Sequence, residues 1–386
     1  MAGFMNDFMQ TDEDNRVLQL GKFWPVIGGV EKVEYEFATG LSAVGQPCDM
    51  LAAACQGAGG ETMIGEHARL ITCRTWRKIA ATMIAPSMIS ELRRRCCQYK
   101  LIHIHHPDPM AALALWLSGY KGPVVLHWHS DIAKQKCLLR FYMPLQRWLL
   151  RRASLILGTT PVYVAESPHL VAVRSKLEYL PIGIEPIVPE PQAVEKLRRH
   201  YQGRKIVFTL GRLVAYKGFE YLVEAARYLD SGYVILIGGS GPLASRLRQA
   251  IDKHGVSDRV ELLGRVSDAD LPAYYGACSL FCLSSVQKTE AFGIVQIEAM
   301  SCGKPVVATR IPESGVSWVN AHGVSGLNVV PRDACELARA IRKIADHPET
   351  YQVYCRGARR RYEEMFTKDK MINDLLEIYH RLWKTK

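Results

Sequence analysis

The sequence predicts an α/β protein built as two doubly wound domains, and three observations carry that expectation. Apolar, strand-like runs alternate with helical stretches along most of the 386 residues. Several runs end in glycine turns, at Gly28-Gly29, Gly211 and Gly238-Gly239, where sheets of this kind bind ligands. The series is broken once, where Pro181, Pro186, Pro189 and Pro191 crowd together, and then begins again. A chain of this length exceeds what one hydrophobic core organises. The expected division is a first domain over 1–185, a second over 186–365, and a terminal helix over 366–386 packing back on the first.

Residues 1–15 read as a flexible lead. The strand RVLQLGK, from Arg16 to Lys22, then runs through Gly28 and Gly29 into the helix EKVEYEFATGLSAVG, which makes a first βα unit. Glycines there let backbone approach a phosphate or sugar, though a tight turn alone has the same composition. QPCDMLAAAC, ISELRRRCCQYK, LIHIHHPDP, AALALWLSGY and PVVLHWHSD continue the alternation and imply a parallel sheet. His103 and His105 alternate along a strand without spaced Cys or carboxylate partners, a pattern of core or rim histidines rather than a metal centre. His129 follows the strand VVLHW and precedes Ser130-Asp131, so a catalytic or substrate-orienting role is expected of it.

From Lys134 to Arg152, Arg140, Arg147, Arg151 and Arg152 are interleaved with Phe141, Tyr142, Leu145, Trp148 and Leu149. Such a helix suits an anionic bilayer or a core-facing amphipathic role, and Pro144 should kink or split it.

The second half opens with KIVFTLG, followed by Arg212, Lys217-Gly218 and the helix FEYLVEAARYL. An arginine fork and a mobile lysine behind a strand-end glycine suit a phosphate, although GxxxxGK[ST] is absent. Gly239-Ser240-Gly241 precedes Pro242 and is not the first βα turn of its domain, which argues against a dinucleotide fingerprint. After SLFCLSS comes TEAFGIVQIEAMSCGKP, a turn opening onto a short helix stopped by Gly303. Gly293 at its entry and the unpaired N–H groups of the helix start suit an anion. Glu290 and Glu298 are eight residues apart, which on continuous helical geometry puts them about 80° apart. A capped helix with two surface glutamates has the same spacing.

Net charge is +11. A basic excess serves phosphates, nucleic acid or an anionic membrane. No zinc-finger spacing or RNA-binding signature appears, so nucleic acid is not expected as a partner. Eleven scattered cysteines without CxxC pairs fit reduced thiols. No secretory leader is expected, and no run reaches the roughly 18 apolar residues of a spanning helix.

Two doubly wound halves, a GG turn in the first, and GR…KG with E-x7-E in the second resemble the family 4 glycosyltransferases of GT-B fold, in which two Rossmann-like domains face each other across a cleft. The resemblance runs from about Arg16 to the end. It implies that Gly28 and Gly29 touch the donor diphosphate and transferred sugar, that His129 lies near the reacting sugar, and that Arg212 and Lys217 neutralise the diphosphate. It places Glu290 at the sugar hydroxyls, Glu298 on the ribose, the donors of Phe292, Gly293 and Ile294 at the helix start, and Val266 beside the base. Ile182 departs from the family's Pro-Asn-Gly segment.

The implied activity is retaining hexosyl transfer from a nucleotide sugar, with no metal or other cofactor. Asp12-Glu13-Asp14 lies in the lead and Asp268-Ala269-Asp270 reads as a helix N-cap. The wording LHWHSD and PLQRWLLRRA resembles bacterial O-antigen enzymes using GDP-mannose. That implies a lipid-linked saccharide acceptor and a peripheral position on the cytoplasmic face of an anionic membrane. A soluble transferase with a UDP-sugar and a small acceptor, and a non-catalytic nucleotide-sugar-binding protein, are the alternatives.

Overall fold

The computed structural model describes residues 15–26, 28–79, 82–132 and 136–384, with side chains undescribed over 136–139. Most of the lead, including Asp12-Glu13-Asp14, and the start of the Lys134–Arg152 segment lie outside the described residues. The chain forms two units, one of residues 1–182 with 368–386 and one of 183–367. The crossings fall at Ile182/Gly183 and Thr367/Lys368 rather than at 185/186 and 365/366.

In the first unit the strands are β1 (Val17–Trp24), β2 (Cys48–Ala54), β3 (Gly60–Gly65), β4 (Ala68–Arg74), β5 (Arg77–Ile79), β6 (Thr82–Ile84), β7 (Leu101–His106), β8 (Val124–Trp128), β9 (Leu155–Gly158) and β10 (Leu177–Tyr179). Eight form one sheet in the order β10-β9-β8-β7-β1-β2-β4-β3, while β5 and β6 make a separate hairpin. Within the eight-stranded sheet pairing is parallel except for β3, which runs antiparallel to β4; β5 and β6 are also antiparallel. The sequence reading overlooked β3 to β6; β5 and β6 are three residues each, and β3 is mostly exposed, so none of those three gives a strand-length apolar run. Strand order reverses between β1 and β7, which makes their carboxyl ends the ligand-binding edge.

The helix Gly29–Ala43 buries Val33, Phe37, Ala38 and Leu41. The last helix, Lys368–Lys384, packs beside it through buried Met371, Ile372, Leu375, Ile378 and Tyr379. Lys368 Nζ sits 2.7 Å from Glu36 Oε2 at that contact. The Pro109–Ser118 helix is set by Pro109 in its first turn, by the Asp108 carboxylate accepting from the Met110 and Ala111 amides, and by left-handed Gly119 at its end.

Pro144 does not split its helix, which runs unbroken from Lys136 to Arg152. Arg140 and Pro144 both lie on the solvent face, so water can satisfy the Arg140 carbonyl, for which Pro144, having no N–H, supplies no donor. Tyr142, Gln146, Leu149 and Leu150 turn into the core. The opposite face carries Arg140, Arg147, Arg151 and Phe141, the last 83% exposed. Trp116, 54% exposed, lies with its ring 6.4 Å from that of Trp148. No described helix is long and apolar enough to cross a membrane.

The second unit holds β11 (Lys205–Leu210), β12 (Tyr233–Gly238), β13 (Val260–Gly264), β14 (Leu280–Leu283), β15 (Val306–Thr309) and β16 (Gly326–Val329). They form a wholly parallel sheet in the order β13-β12-β11-β14-β15-β16. Order reverses between β11 and β14. The central strands are buried on both faces because helices cover both, as in β12, where all six residues are buried, whereas edge strand β13 exposes Glu261. Asp270 occupies the N-cap position before Leu271 but its side chain caps nothing; the Ser267 hydroxyl instead takes the Asp270 amide at 3.1 Å.

Candidate functional site

In the second unit the site residues gather where β11 and β14 diverge. Gly211 and Arg212 follow β11, and Lys217 ends a short turn behind them. Past β14 come Ser284, Ser285 and the turn to Glu290. Lys217 Nζ meets Glu290 Oε2 at 2.5 Å, both side chains about one-tenth exposed, and Ser285 Oγ donates to the same oxygen at 2.9 Å. Burial alone would push the Lys217 ammonium down, but the Glu290 carboxylate overrides it and holds the pKa above the ordinary lysine value. Ser314 Oγ donates to the Glu290 carbonyl at 2.5 Å and fixes the turn. Arg212 is exposed and has no ion-pair partner among the described residues.

The helix begins at Ile294 and runs only to Ser301, so Glu290 stands in the turn before it and the 80° relation to Glu298 does not apply. Gly293 is its N-cap at φ +75°. A methyl there would fall 2.8 Å from Leu283 Cδ2, so neither the backbone conformation nor the space admits another residue easily. No side chain caps this helix, and its first amides remain available to an anion. Phe292 is buried beneath the entry, and Ile294 is half-buried at the first helical position. Glu298 Oε2 accepts from the Tyr275 hydroxyl at 2.6 Å, which orients the carboxylate. Val266 follows β13 beside Gly238, where an added methyl would come within 3.1 Å of its Cγ2.

In the first unit Gly28 is the N-cap of the Gly29–Ala43 helix, again with no side chain capping it. Both glycines are exposed. His129 follows β8 and is 6% exposed, buried rather than projecting from the strand end. Its amide donates to the His106 carbonyl at 3.1 Å. Behind it, His105 Nδ1 lies 2.9 Å from His129 Nε2, and His127 stacks on His129 at 4.2 Å with the planes 4° apart. Burial first, and the neighbouring imidazoles and Lys22 after it, hold His129 well below the ordinary histidine value, so it is neutral at neutral pH. Asp131 anchors the loop, its carboxylate accepting from Trp128 Nε1 at 2.9 Å and Ser167 Oγ at 2.8 Å.

His105, His127 and His129 bring ring nitrogens within 4.8 Å of one another, a proximity the sequence spacing did not reveal. The three rings are within 13° of parallel, and His105 and His129 meet edge to edge while His127 lies over His129. Imidazole lone pairs lie in the ring plane, so these do not converge on one point as a metal's ligands must.

Four groups near the Gly28 turn were missed by the sequence reading. Lys22 Nζ lies 3.6 Å from Glu31 Oε1. Glu34 is fully buried against Gly21, where an added methyl would come 1.9 Å from Glu34 Oε2. Burial, then the Asp108 and Glu31 carboxylates, push the Glu34 pKa well above the ordinary range, and burial raises Asp108 to about 6. The one hint was Gly21, a glycine inside an otherwise good strand.

A family model described as Glycosyltransferase Family 4 matches residues 27–186, and one described as Glycosyl transferases group 1 matches residues 193–361. The chain is 30% identical over 375 residues to O-antigen chain mannosyltransferase C of Escherichia coli, covering 96% of this chain and all of that one. It is 28% identical over 356 residues to D-rhamnosyltransferase WbpZ of Pseudomonas aeruginosa, covering 91% and 92% of the two. Among solved structures, Anabaena HepE in complex with UDP and glucose superposes with a TM-score of 0.75 at 20% identity, over 94% of this chain and 98% of that one.

Proposed function

We propose that this chain, which belongs to glycosyltransferase family 4 and has the GT-B fold, transfers mannose from GDP-mannose to a lipid-linked saccharide with retention of configuration. The observation that carries the chemistry is the cation-rich end of β11 beside an uncapped helix start: exposed Arg212, Lys217 on Glu290, and Gly293 before Ile294. Breaking a sugar–phosphate bond builds negative charge on the leaving diphosphate. Arg212, Lys217 and helix amides stabilise such charge without a metal ion.

Glu290 accepts from sugar hydroxyls, Glu298 from the ribose, and Val266 lies against the base. In the first unit, Gly28 and Gly29 offer backbone amides, and His129 orients the transferred sugar. Neither glutamate need form a covalent bond, because front-face attack on an oxocarbenium-like centre retains configuration. The mannose assignment rests on the full-length likeness to the Escherichia coli mannosyltransferase. The acceptor assignment adds the exposed Arg140, Arg147, Arg151, Phe141 and Trp116, a face that suits the inner surface of an anionic membrane.

The test is thermal stabilisation by GDP, UDP, ADP and their sugar conjugates with no added metal. A ligand at a hundredfold excess over Kd stabilises by about 2.7 kcal/mol. A shift selective for GDP-mannose, followed by transfer to a lipid-linked saccharide, is expected. A UDP-selective shift overturns the donor and favours the small-acceptor alternative; no shift with any nucleotide overturns the donor site.

A further inference from the structure

Five buried polar side chains in the first unit form one continuous chain that ends at His129. His129 Nε2 and His105 Nδ1 are 2.9 Å apart, His105 Nε2 and Gln19 Oε1 3.0 Å, Gln19 Nε2 and Tyr379 Oη 3.1 Å, and Tyr379 Oη and His103 Nδ1 2.6 Å. The residues come from β1, β7, the end of β8 and the last helix, and Gln19 and Tyr379 are 360 residues apart. All five are at most 6% exposed, so water does not compete for these bonds.

The chain has one direction, set by Gln19. Its amide nitrogen donates to Tyr379, with Cys48 Sγ a weaker neighbour at 3.8 Å, and its oxygen therefore faces His105. An amide oxygen only accepts, so His105 carries its proton on Nε2. A neutral imidazole has one N–H, which leaves His105 Nδ1 bare, and His129 must donate to it from Nε2. At the far end the Tyr379 hydroxyl, having accepted from Gln19, donates to His103 Nδ1. Every bond then pairs one donor with one acceptor, and the chain is uncharged.

We propose that His105, Gln19 and Tyr379 are positioning residues that fix the tautomer of His129, keeping its Nδ1 as a bare acceptor for a hydroxyl of the transferred sugar. The proposal rests on the reading that His129 meets that sugar. An acceptor lone pair without a positive charge suits a reacting centre that becomes cationic, and burial of the whole array keeps its imidazoles neutral. The last helix thereby has a second task beyond packing: its Tyr379 orients the Gln19 amide on which the direction depends.

The test combines 15N-histidine NMR, which distinguishes the Nδ1–H and Nε2–H tautomers, with steady-state kinetics on the full chain. Gln19→Leu removes the acceptor from His105 and frees both imidazoles to switch. The expected result is a shift of His129 toward Nδ1–H and a fall in kcat of about tenfold, at the low end of the losses on the order of 10–100-fold seen when supporting partners are removed, with donor KM within about twofold. Tyr379→Phe keeps the ring in place and removes only the hydroxyl, so it carries the test if Gln19→Leu fails to fold; a mixed tautomer population and a severalfold lower kcat are expected. Loss of kcat with the His129 tautomer unmoved, or an unmoved tautomer with unchanged kcat, overturns the proposal. His129→Ala separates the two layers: if that variant keeps full turnover, the reading of His129 fails, whereas an inactive His129→Ala beside unaffected Gln19 and Tyr379 variants sinks the positioning chain alone.

Discussion

Acidification should destabilise the first unit through its buried histidines, and the size of the effect follows from their environment. His106 and His127 are at most 1% exposed, and desolvation depresses each from 6.5 to about 3. With the folded pKa below the unfolded one, the unfolded chain binds protons that the folded chain refuses. Stability is therefore complete above pH 6.5 and is lost as pH falls toward the folded value. Between about pH 7.5 and about pH 5.5 each such histidine costs about 1.4 kcal/mol. His103, His105 and His129 are depressed in the same direction. Asp108 runs the other way, because its pKa is raised to about 6; it returns about 0.8 kcal/mol over the same range.

The cleanest probe is His127, whose two ring nitrogens have no hydrogen-bond partner among the described residues. Urea unfolding of wild type and His127→Phe, followed by tryptophan fluorescence at both pH values, should show the variant gaining on wild type by about 1.4 kcal/mol on acidification. A wild-type-to-variant difference that is the same at both pH values would refute the assignment of His127 as a buried neutral imidazole.

Glu290→Gln leaves Lys217 with an unpaired buried charge, and breaking such a pair costs about 3 kcal/mol; urea unfolding should show that loss, turnover should fall at least about a hundredfold, and near-normal turnover would remove Glu290 from the site. Gly293→Ala forces a side chain to φ +75° against Leu283, which costs on the order of 1–2 kcal/mol, and nucleoside diphosphate affinity measured by calorimetry should drop with it; unchanged affinity would mean the helix start does not hold the anion. Vesicles containing anionic lipid should bind the protein less at high salt, and replacing Arg140, Arg147 and Arg151 with glutamine should remove roughly 3 kcal/mol of that binding. Salt-insensitive flotation would point to insertion of Phe141 and Trp116 instead.

The sequence by itself determined the two α/β halves, the glycine turns at Gly28-Gly29 and Gly293 that open onto helices, and the presence of Arg212, Lys217 and Glu290 near strand ends with Glu298 in the helix that follows. These are local features, written in apolar periods of 2 and 3.6, in glycines where backbone needs room, and in prolines where pairing stops. Even so, local reading left open whether Pro144 kinks or splits its helix, because that depends on which face the proline occupies; the helix runs unbroken. Local reading also placed Glu290 on the helix geometry of Glu298, because the true helix start is set by Gly293's left-handed backbone.

Strand order and face decided the rest. Lys217 and Glu290 become partners only because β11 and β14 are neighbours in the sheet. His103, His105, His127 and His129 stack because β7 and β8 pair in register, His105 opposite His127. Tyr379 reaches Gln19 only because the last helix returns to the first unit. Hydrogen bonds and ion pairs between residues distant in the chain depend on which segments pack side by side, and packing is a property of the whole fold that no local window of residues contains.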